Sequence, residues 1–174
     1  MGIGNKVLHS VLKTDGRGVH LDLVKATAPT IPTLKAGETY TGTVLVDIAA
    51  AAVATLNATP VACIAAPGAN QYTIVNWMSA SLVHNGVNYD AAVGNEDLTL
   101  KYTNGSGAEL VTAIDRSGFG DASADVTRFT RGASDLTVVN NAAVVAHIKS
   151  GEWYSAAGDG DLSLLINFTV HSAL

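Results

Sequence analysis

The sequence predicts an all-β fold, a jelly-roll-like β-sandwich of about eight strands that follows an extended N-terminal arm. From about residue 39 onward, apolar and polar residues alternate with a period of two, which is typical of strands with one buried face. Short clusters of Gly, Asn and Asp separate these stretches, and strand–helix–strand spacing is missing from the pattern. At 174 residues the chain has the size of one domain. We therefore assign residues 1–35 to an N-terminal arm and linker, and residues 36–174 to the β-sandwich body.

The arm contains two short apolar segments, residues 7–13 and 19–24, on either side of a glycine-containing turn. In the second segment apolar residues alternate with His20 and Asp22, which favours a hairpin. The apolar residues of the first segment also fit one face of a helix, so both interpretations stay open there. Two prolines then impose an extended linker before the body. Extended arms bind by adding a strand to a neighbouring sheet edge, and the candidate interface residues here are Val19, Leu21 and Leu23.

Eight segments of the body are predicted as strands, namely residues 39–48, 60–65, 72–84, 98–103, 109–114, 125–130, 136–147 and 161–170. A break is expected near Asn140-Asn141. Residues 72–84 are apolar on both faces and are predicted to form a central strand covered on both sides. Its two faces would carry Ile74, Met78 and Leu82 on one side and Val75, Trp77 and Val83 on the other.

The connections are predicted from local residue types. The alanine-rich segment Ala49 to Leu56 predicts a two-turn helix, the one helix expected inside the body. Three pairs, Asn85-Gly86, Asn104-Gly105 and Asp159-Gly160, are typical of two-residue turns because these residues tolerate positive φ.

The low content of charged residues indicates a surface that other protein covers. Charged side chains make up 14% of the chain, against about 25% in typical soluble proteins. A net charge of −5 gives little colloidal protection, so part of the exterior is expected to pack against copies of the chain or a partner; a bland surface of Ala, Ser, Thr and Asn is the alternative. With 10 basic and 15 acidic residues and no basic run, nucleic acid is not an expected partner.

Membrane insertion and secretion are not expected. The longest apolar run, Val44 to Ala54, is interrupted by Asp47 and is shorter than the roughly 20 residues of a membrane span. No apolar core of a signal peptide follows the first lysines, so export by a signal of its own is not expected and the chain is expected in the cytoplasm where it is made. Cys63 is the only cysteine and is predicted to be a small buried apolar residue.

The sequence predicts no catalytic, cofactor-binding or metal-binding residues. Its five histidines are scattered, and the Gly-x-Ser-x-Gly motif of hydrolases is missing. Asp159-Gly160-Asp161 is interpreted as a hairpin turn and not as a calcium loop, and an ion site among Asp115, Asp121 and Asp125 is an unfavoured alternative. Trp77 is interpreted as core, whereas Trp153, in a loop, is a candidate interface or ligand anchor.

A series of short motifs resembles a group of small tailed-phage virion proteins. In those proteins a Thr-Pro strand is followed by an Ala-Pro-Gly-Ala turn, a further strand, and a glycine close to a tyrosine. The resemblance covers roughly residues 55 to 170, and the order and spacing of the motifs carry it. It departs at Asn70-Gln71, where a Gly-Lys pair is commoner. The matching segments are Thr59-Pro60-Val61, Ala66-Pro67-Gly68-Ala69, His84 to Tyr89, Asp97 to Tyr102, Asn140 to Val145 and Gly158 to Leu162.

The resemblance implies a non-enzymatic virion protein. We expect a capsid decoration or cement protein on the capsid surface that forms a homotrimer, contacts the major capsid protein, and stabilises the head through arm and edge contacts. The alternative is a receptor-binding or carbohydrate-binding module of a phage tail or fibre, which would use an exposed aromatic such as Trp153. Because one fold serves many functions, an enzyme is the third possibility and the least favoured.

Overall fold

The fold is available as a computed structural model that describes residues 31–89, 96–151 and 158–173 together with the backbone of residues 8–14 and 19–25. One short helix and nine strands are defined in these segments. In chain order they are β1 (Leu8–Thr14), β2 (Val19–Lys25), β3 (Thr39–Ile48), α1 (Ala50–Val53), β4 (Val61–Ile64), β5 (Gln71–Val83), β6 (Leu98–Tyr102), β7 (Val126–Arg131), β8 (Val144–Ile148) and β9 (Asp161–Ser172).

The strands form the predicted β-sandwich. The larger sheet has the order β2-β1-β3-β9-β5-β7 and the smaller sheet the order β4-β8-β6, and the pairings between these strands are all antiparallel. Alternate residues of the strands point into the space between the sheets, where they form one apolar core. The all-β prediction is confirmed.

The strand pairing has the connectivity of a jelly roll. The first strand of the body, β3, pairs with the last, β9; next inward, β4 pairs with β8 and β5 with β7. The innermost pair is β6 with residues 108–114, joined by hydrogen bonds between Leu98 and Ile114 and from the Leu110 amide to the Leu100 carbonyl. Such a nested set is one long antiparallel hairpin rolled into two sheets, and it consists of seven regular body strands and the irregular segment 108–114, close to the eight strands predicted.

Residues 109–114 form isolated bridges and not the regular strand that was predicted. On one side the segment bonds to β6, and on the other Val111 bridges to Gly132 just after β7. Because β6 and β7 belong to different sheets, the segment turns between the sheets and cannot keep one continuous ladder.

Three other boundaries differ from the prediction. The helix is only Ala50–Val53, and turns follow it to residue 58; its first amide donates to the Asp161 carboxylate, whereas the preceding Ala49 has no side chain that could cap it. Residues 136–143 are irregular, so only Val144–Ile148 of the predicted strand 136–147 is regular, and the expected break lies at Asn141, whose φ is 53°. No two-residue hairpin forms at the three predicted turns; the β6 turn uses residues 103–107, with Thr103 at φ 63°.

A β-bulge in β5 changes which side chains point outward. The pairing of β5 with β9 shifts between Val75 and Trp77, so Asn76 is an extra residue without a partner in the ladder. Val75 and Met78 both face the core as a result, and Ile74 and Trp77 both face outward. The prediction that Trp77 is core was therefore wrong. The strand is central in its sheet, but its outer face is only half-buried.

The N-terminal segments form the predicted hairpin. β1 and β2 pair in antiparallel register from Leu8 opposite Lys25 to Thr14 opposite Val19, so the helical alternative for the first segment was wrong. β1 also pairs with β3 of the same chain, from Leu8 opposite Leu45 to Ser10 opposite Thr43. The hairpin therefore extends the larger sheet beyond β3.

Candidate interaction face

The outer side of the larger sheet is the largest continuous surface that the described strands build. We call it the outer face, and define it on the four body strands. Its members are Thr41, Thr43, Leu45 and Asp47 on β3; Asp161, Ser163, Leu165, Asn167, Thr169 and His171 on β9; Tyr72, Ile74, Trp77, Ser79, Ser81 and Val83 on β5; and Thr127, Phe129 and Arg131 on β7.

Apolar side chains form a row across this face. Leu45 lies opposite Leu165, Leu165 opposite Ser79, and Ser79 opposite Phe129. Leu165 is 38% exposed and Phe129 is 61% exposed, both high values for large apolar residues on a sheet. Trp77 lies diagonally from Phe129, and the centroids of the two rings are 5.7 Å apart. An aromatic pair with one exposed ring, beside leucine, is the type of anchor on which protein interfaces concentrate their binding energy.

The polar side chains in the neighbouring rows bond mainly to each other. The Asn76 amide donates to Asn167 Oδ1 at 2.8 Å and to Thr169 Oγ1 at 3.0 Å. The Asn167 amide donates in turn to Thr43 Oγ1 at 3.0 Å, and the hydroxyls of Thr41 and Thr169 lie 3.2 Å apart. Groups that already have partners lose less when water is removed than groups bonded only to water. This network therefore lowers the cost of covering the face.

Charged side chains lie only at the margins of the outer face. Asp47 and Asp161 are near one end of their strands, where Asp47 accepts a hydrogen bond from the Ser163 hydroxyl at 2.6 Å and Asp161 one from the Ala50 amide at 3.0 Å. Arg131 ends the edge strand β7. The row that contains Leu165 and Phe129 has no carboxylate and no lysine on these four strands. Depletion of charge at the centre of a patch distinguishes interfaces from ordinary surface.

Of the candidate interface residues from the sequence, three lie on β2. Val19, Leu21 and Leu23 pair with Thr14, Leu12 and Ser10 of β1, so their backbone belongs to the hairpin. Their side chains, and Trp153 with its whole segment 152–157, lie outside the described residues. The structure thus brings together a different set of residues, among which Phe129 and Trp77 form the aromatic pair. One sequence signal could have indicated Phe129. In the alternating pattern of β7 it lies on the same face as Thr127 and Arg131, which are polar.

The described residues offer little for metal chemistry. No group of three or more His, Cys, Asp or Glu side chains that could hold a metal ion is found among them. Asp115, Asp121 and Asp125 each accept a hydrogen bond from a backbone amide instead, at 2.8, 2.6 and 2.9 Å. Asp159 does not close a hairpin either; its carboxylate accepts the Val87 amide at 3.1 Å and so holds the loop that follows β5.

Cys63 is a buried residue of the core, as predicted, with 5% of its surface exposed. Burial raises the pKa of its thiol to about 12, so the thiolate needed for nucleophilic chemistry is suppressed at neutral pH. In the described part of the chain, no helix has the length and apolarity that a bilayer span requires.

Comparisons with family models, with curated proteins and with solved structures give no match. The resemblance to tailed-phage virion proteins accordingly stays a prediction from the motifs of the sequence.

Proposed function

We propose that the protein is a non-enzymatic structural protein of a virus particle, a decoration or cement protein that oligomerises and packs against the major capsid protein. The observation that supports this most is the outer face, which combines exposed aromatic and aliphatic anchors, a self-bonded polar network and marginal charges. The proposed virion location and the proposed trimeric assembly are inferred from the sequence resemblance alone.

The size of the outer face suits a protein interface. Four strands about 4.8 Å apart and about 30 Å long cover roughly 600 Å² before side-chain relief is counted. A stable interface buries about 800 Å² on each partner. The N-terminal hairpin widens the same sheet by two strands and brings the available area close to about 800 Å².

The sheet edge offers a second kind of contact. β7 is the last strand of the larger sheet, and its neighbour on the inner side is β5. Residues 111–112 bond to the end of β7 through the Thr112 amide and the Arg131 carbonyl, at 3.1 Å. Among the described residues, no backbone hydrogen bond joins residues 126–130 to a segment other than β5, and this supports the addition of a strand from another chain at that edge.

The test of self-association uses two variants of the outer face, Phe129→Ser and Leu165→Ser, with Val138→Ser as the matched control. Val138 is also exposed, at 41%, but lies in the irregular segment before β8 and not on the sheet. In light scattering coupled to size-exclusion chromatography, the wild type and the control are expected to elute as the same oligomer and the two face variants as smaller species. A wild type that is monomeric at high concentration contradicts the proposal.

The test of virion location is cryo-electron microscopy of particles from the virus whose genome encodes the chain. Density for the β-sandwich on the capsid, in repeated copies that touch through the outer face, is the expected result. Density at a tail or fibre tip would favour the receptor-binding alternative, and particles without the chain would refute both.

A further inference from the structure

A polar cleft lies on the opposite side of the molecule, on the outer surface of the smaller sheet. Its floor contains Lys101 from β6 and His147 from β8, and Lys149 follows directly after β8. One wall is the segment after α1, which includes Asn57, and the other is the β6 turn, which includes Asn104 and Ser106. The cavity volume is about 520 Å³, within the range of sites for small molecules.

The charge of the cleft is opposite to that of the protein as a whole. Two lysines line it and no carboxylate does, whereas the chain carries a net charge of −5. Lys101 Nζ donates one hydrogen bond to the Gly105 carbonyl at 2.7 Å, and Lys149 Nζ pairs with Glu109 Oε1 at 3.0 Å. Each ammonium has three donors, so both lysines retain donors for a ligand. Glu109 is outside the lining; its carboxylate holds Lys149 in place and offsets part of that lysine's charge, so Lys101 carries the larger share of the positive charge in the cleft.

The walls of the cleft are held in place before any ligand arrives. The Asn57 amide donates to the Ile148 carbonyl at 2.7 Å, which ties the α1 side to β8. On the other side the β6 turn lies directly on the His147 ring: a Cβ added at Gly105 would come within 2.4 Å of His147 Nε2. His147 itself is only 5% exposed. A preformed site loses less entropy on binding than a flexible one.

We propose that this cleft binds a small hydrophilic anion, a molecule of sugar size that presents a phosphate or carboxylate group to Lys101 and Lys149. The oxyanion is recognised by the two ammonium groups, and the Asn and Ser side chains of the walls supply donors and acceptors for hydroxyl groups. The cleft and the outer face belong to different sheets, so this site and the proposed function stand or fall separately.

The test is a titration of the whole folded chain followed by two-dimensional NMR, with inorganic phosphate, glucose 6-phosphate, glucuronate and neutral glucose as probes. Saturable shifts at the cleft residues are expected with at least one anionic probe, and no saturable shifts with glucose. Saturable binding of the phosphate-bearing probes alone would identify the ligand group as a phosphate. Saturable binding of glucuronate would identify it as the carboxylate of a sugar acid. Each of these results supports an anion site.

The variants Lys101→Gln and Lys149→Gln are each expected to weaken binding about tenfold, because a hydrogen bond from a charged group is lost. Lys35→Gln is the matched control, since Lys35 is exposed and does not line the cleft. Unchanged chemical-shift dispersion in all three proteins verifies that they are folded. The proposal is overturned if no anionic probe saturates, if glucose binds equally well, or if both cleft variants bind like the control.

Discussion

Deletion of Asn76 tests whether the bulge in β5 determines the two faces of the larger sheet. In a regular strand, residues three positions apart face opposite sides. Val75 and Met78 are three positions apart and both face the core, because the bulge lies between them. Without Asn76 the alternation becomes regular, and Trp77 still faces outward and Met78 inward. The deletion removes two hydrogen bonds of the Asn76 side chain and the one that its carbonyl accepts from the Gly132 amide at 2.9 Å. At about 1 kcal/mol each, the expected loss in the free energy of unfolding is at most about 3 kcal/mol.

Deletion of Ser79, in the regular part of β5, is the contrasting variant. It would turn Ala80 and Leu82 outward and Ser81 inward, because a shift of one residue reverses the faces of a strand. Exposing Leu82 costs about 2 kcal/mol and burying the Ser81 hydroxyl about 1–3 kcal/mol. In the alternative, the strand loses its bulge and so keeps its register beyond the deletion. The Trp77 ring then turns inward, into the space that the fully buried Met78 side chain now occupies. Either route is expected to cost about 4–6 kcal/mol.

Urea denaturation followed by far-ultraviolet circular dichroism measures both deletions against the wild type. The prediction is that the protein without Asn76 remains cooperatively folded and is at least about 2 kcal/mol more stable than the one without Ser79. Equal losses in the two variants, or a greater loss without Asn76, would refute the argument that the bulge preserves the pattern of core and surface residues.

Two further predictions concern single buried groups. Because burial raises the pKa of Cys63 from 9.0 to about 12, the unfolded chain ionises first, so its contribution to stability is complete below pH 9.0 and decreases above it. The free energy of unfolding is expected to fall by about 1 kcal/mol from pH 9 to 10, and urea titrations of Cys63→Ala should lack this decrease. The Tyr89 hydroxyl donates to the Gly160 carbonyl at 2.6 Å in a buried site. Tyr89→Phe is therefore expected to lose about 1–3 kcal/mol in urea titrations, whereas the half-buried Tyr40→Phe should lose less; equal losses would contradict this reasoning.

Strand positions were predictable from the sequence because alternation is a local property. β3, β5 and β9 were each located to within a few residues, since buried and less buried residues alternate along most of each strand. The bulge was not predictable, because an extra Asn76 in a strand that is apolar on both faces leaves the alternation ambiguous. The expected two-residue turns failed for a topological reason: consecutive strands in the body mostly belong to opposite sheets, and a tight turn joins neighbours within one sheet.

The candidate face was only partly predictable, because its position depends on the strand register and the bulge. A shortage of charged residues indicated that some surface is covered, but composition cannot say which surface. The contact between Phe129 and Trp77 emerges only when the register of β5 and β7 is known, because the sequence does not show that a bulge at Asn76 keeps Trp77 on the outer side. The bulge residue also supplies the amide that bonds to Asn167 and Thr169. The bulge accommodates the extra residue without turning Trp77 into the core, and the Asn76 side chain satisfies the polar groups beside it. Both features lower the cost of covering the face with another protein, as the proposed function requires.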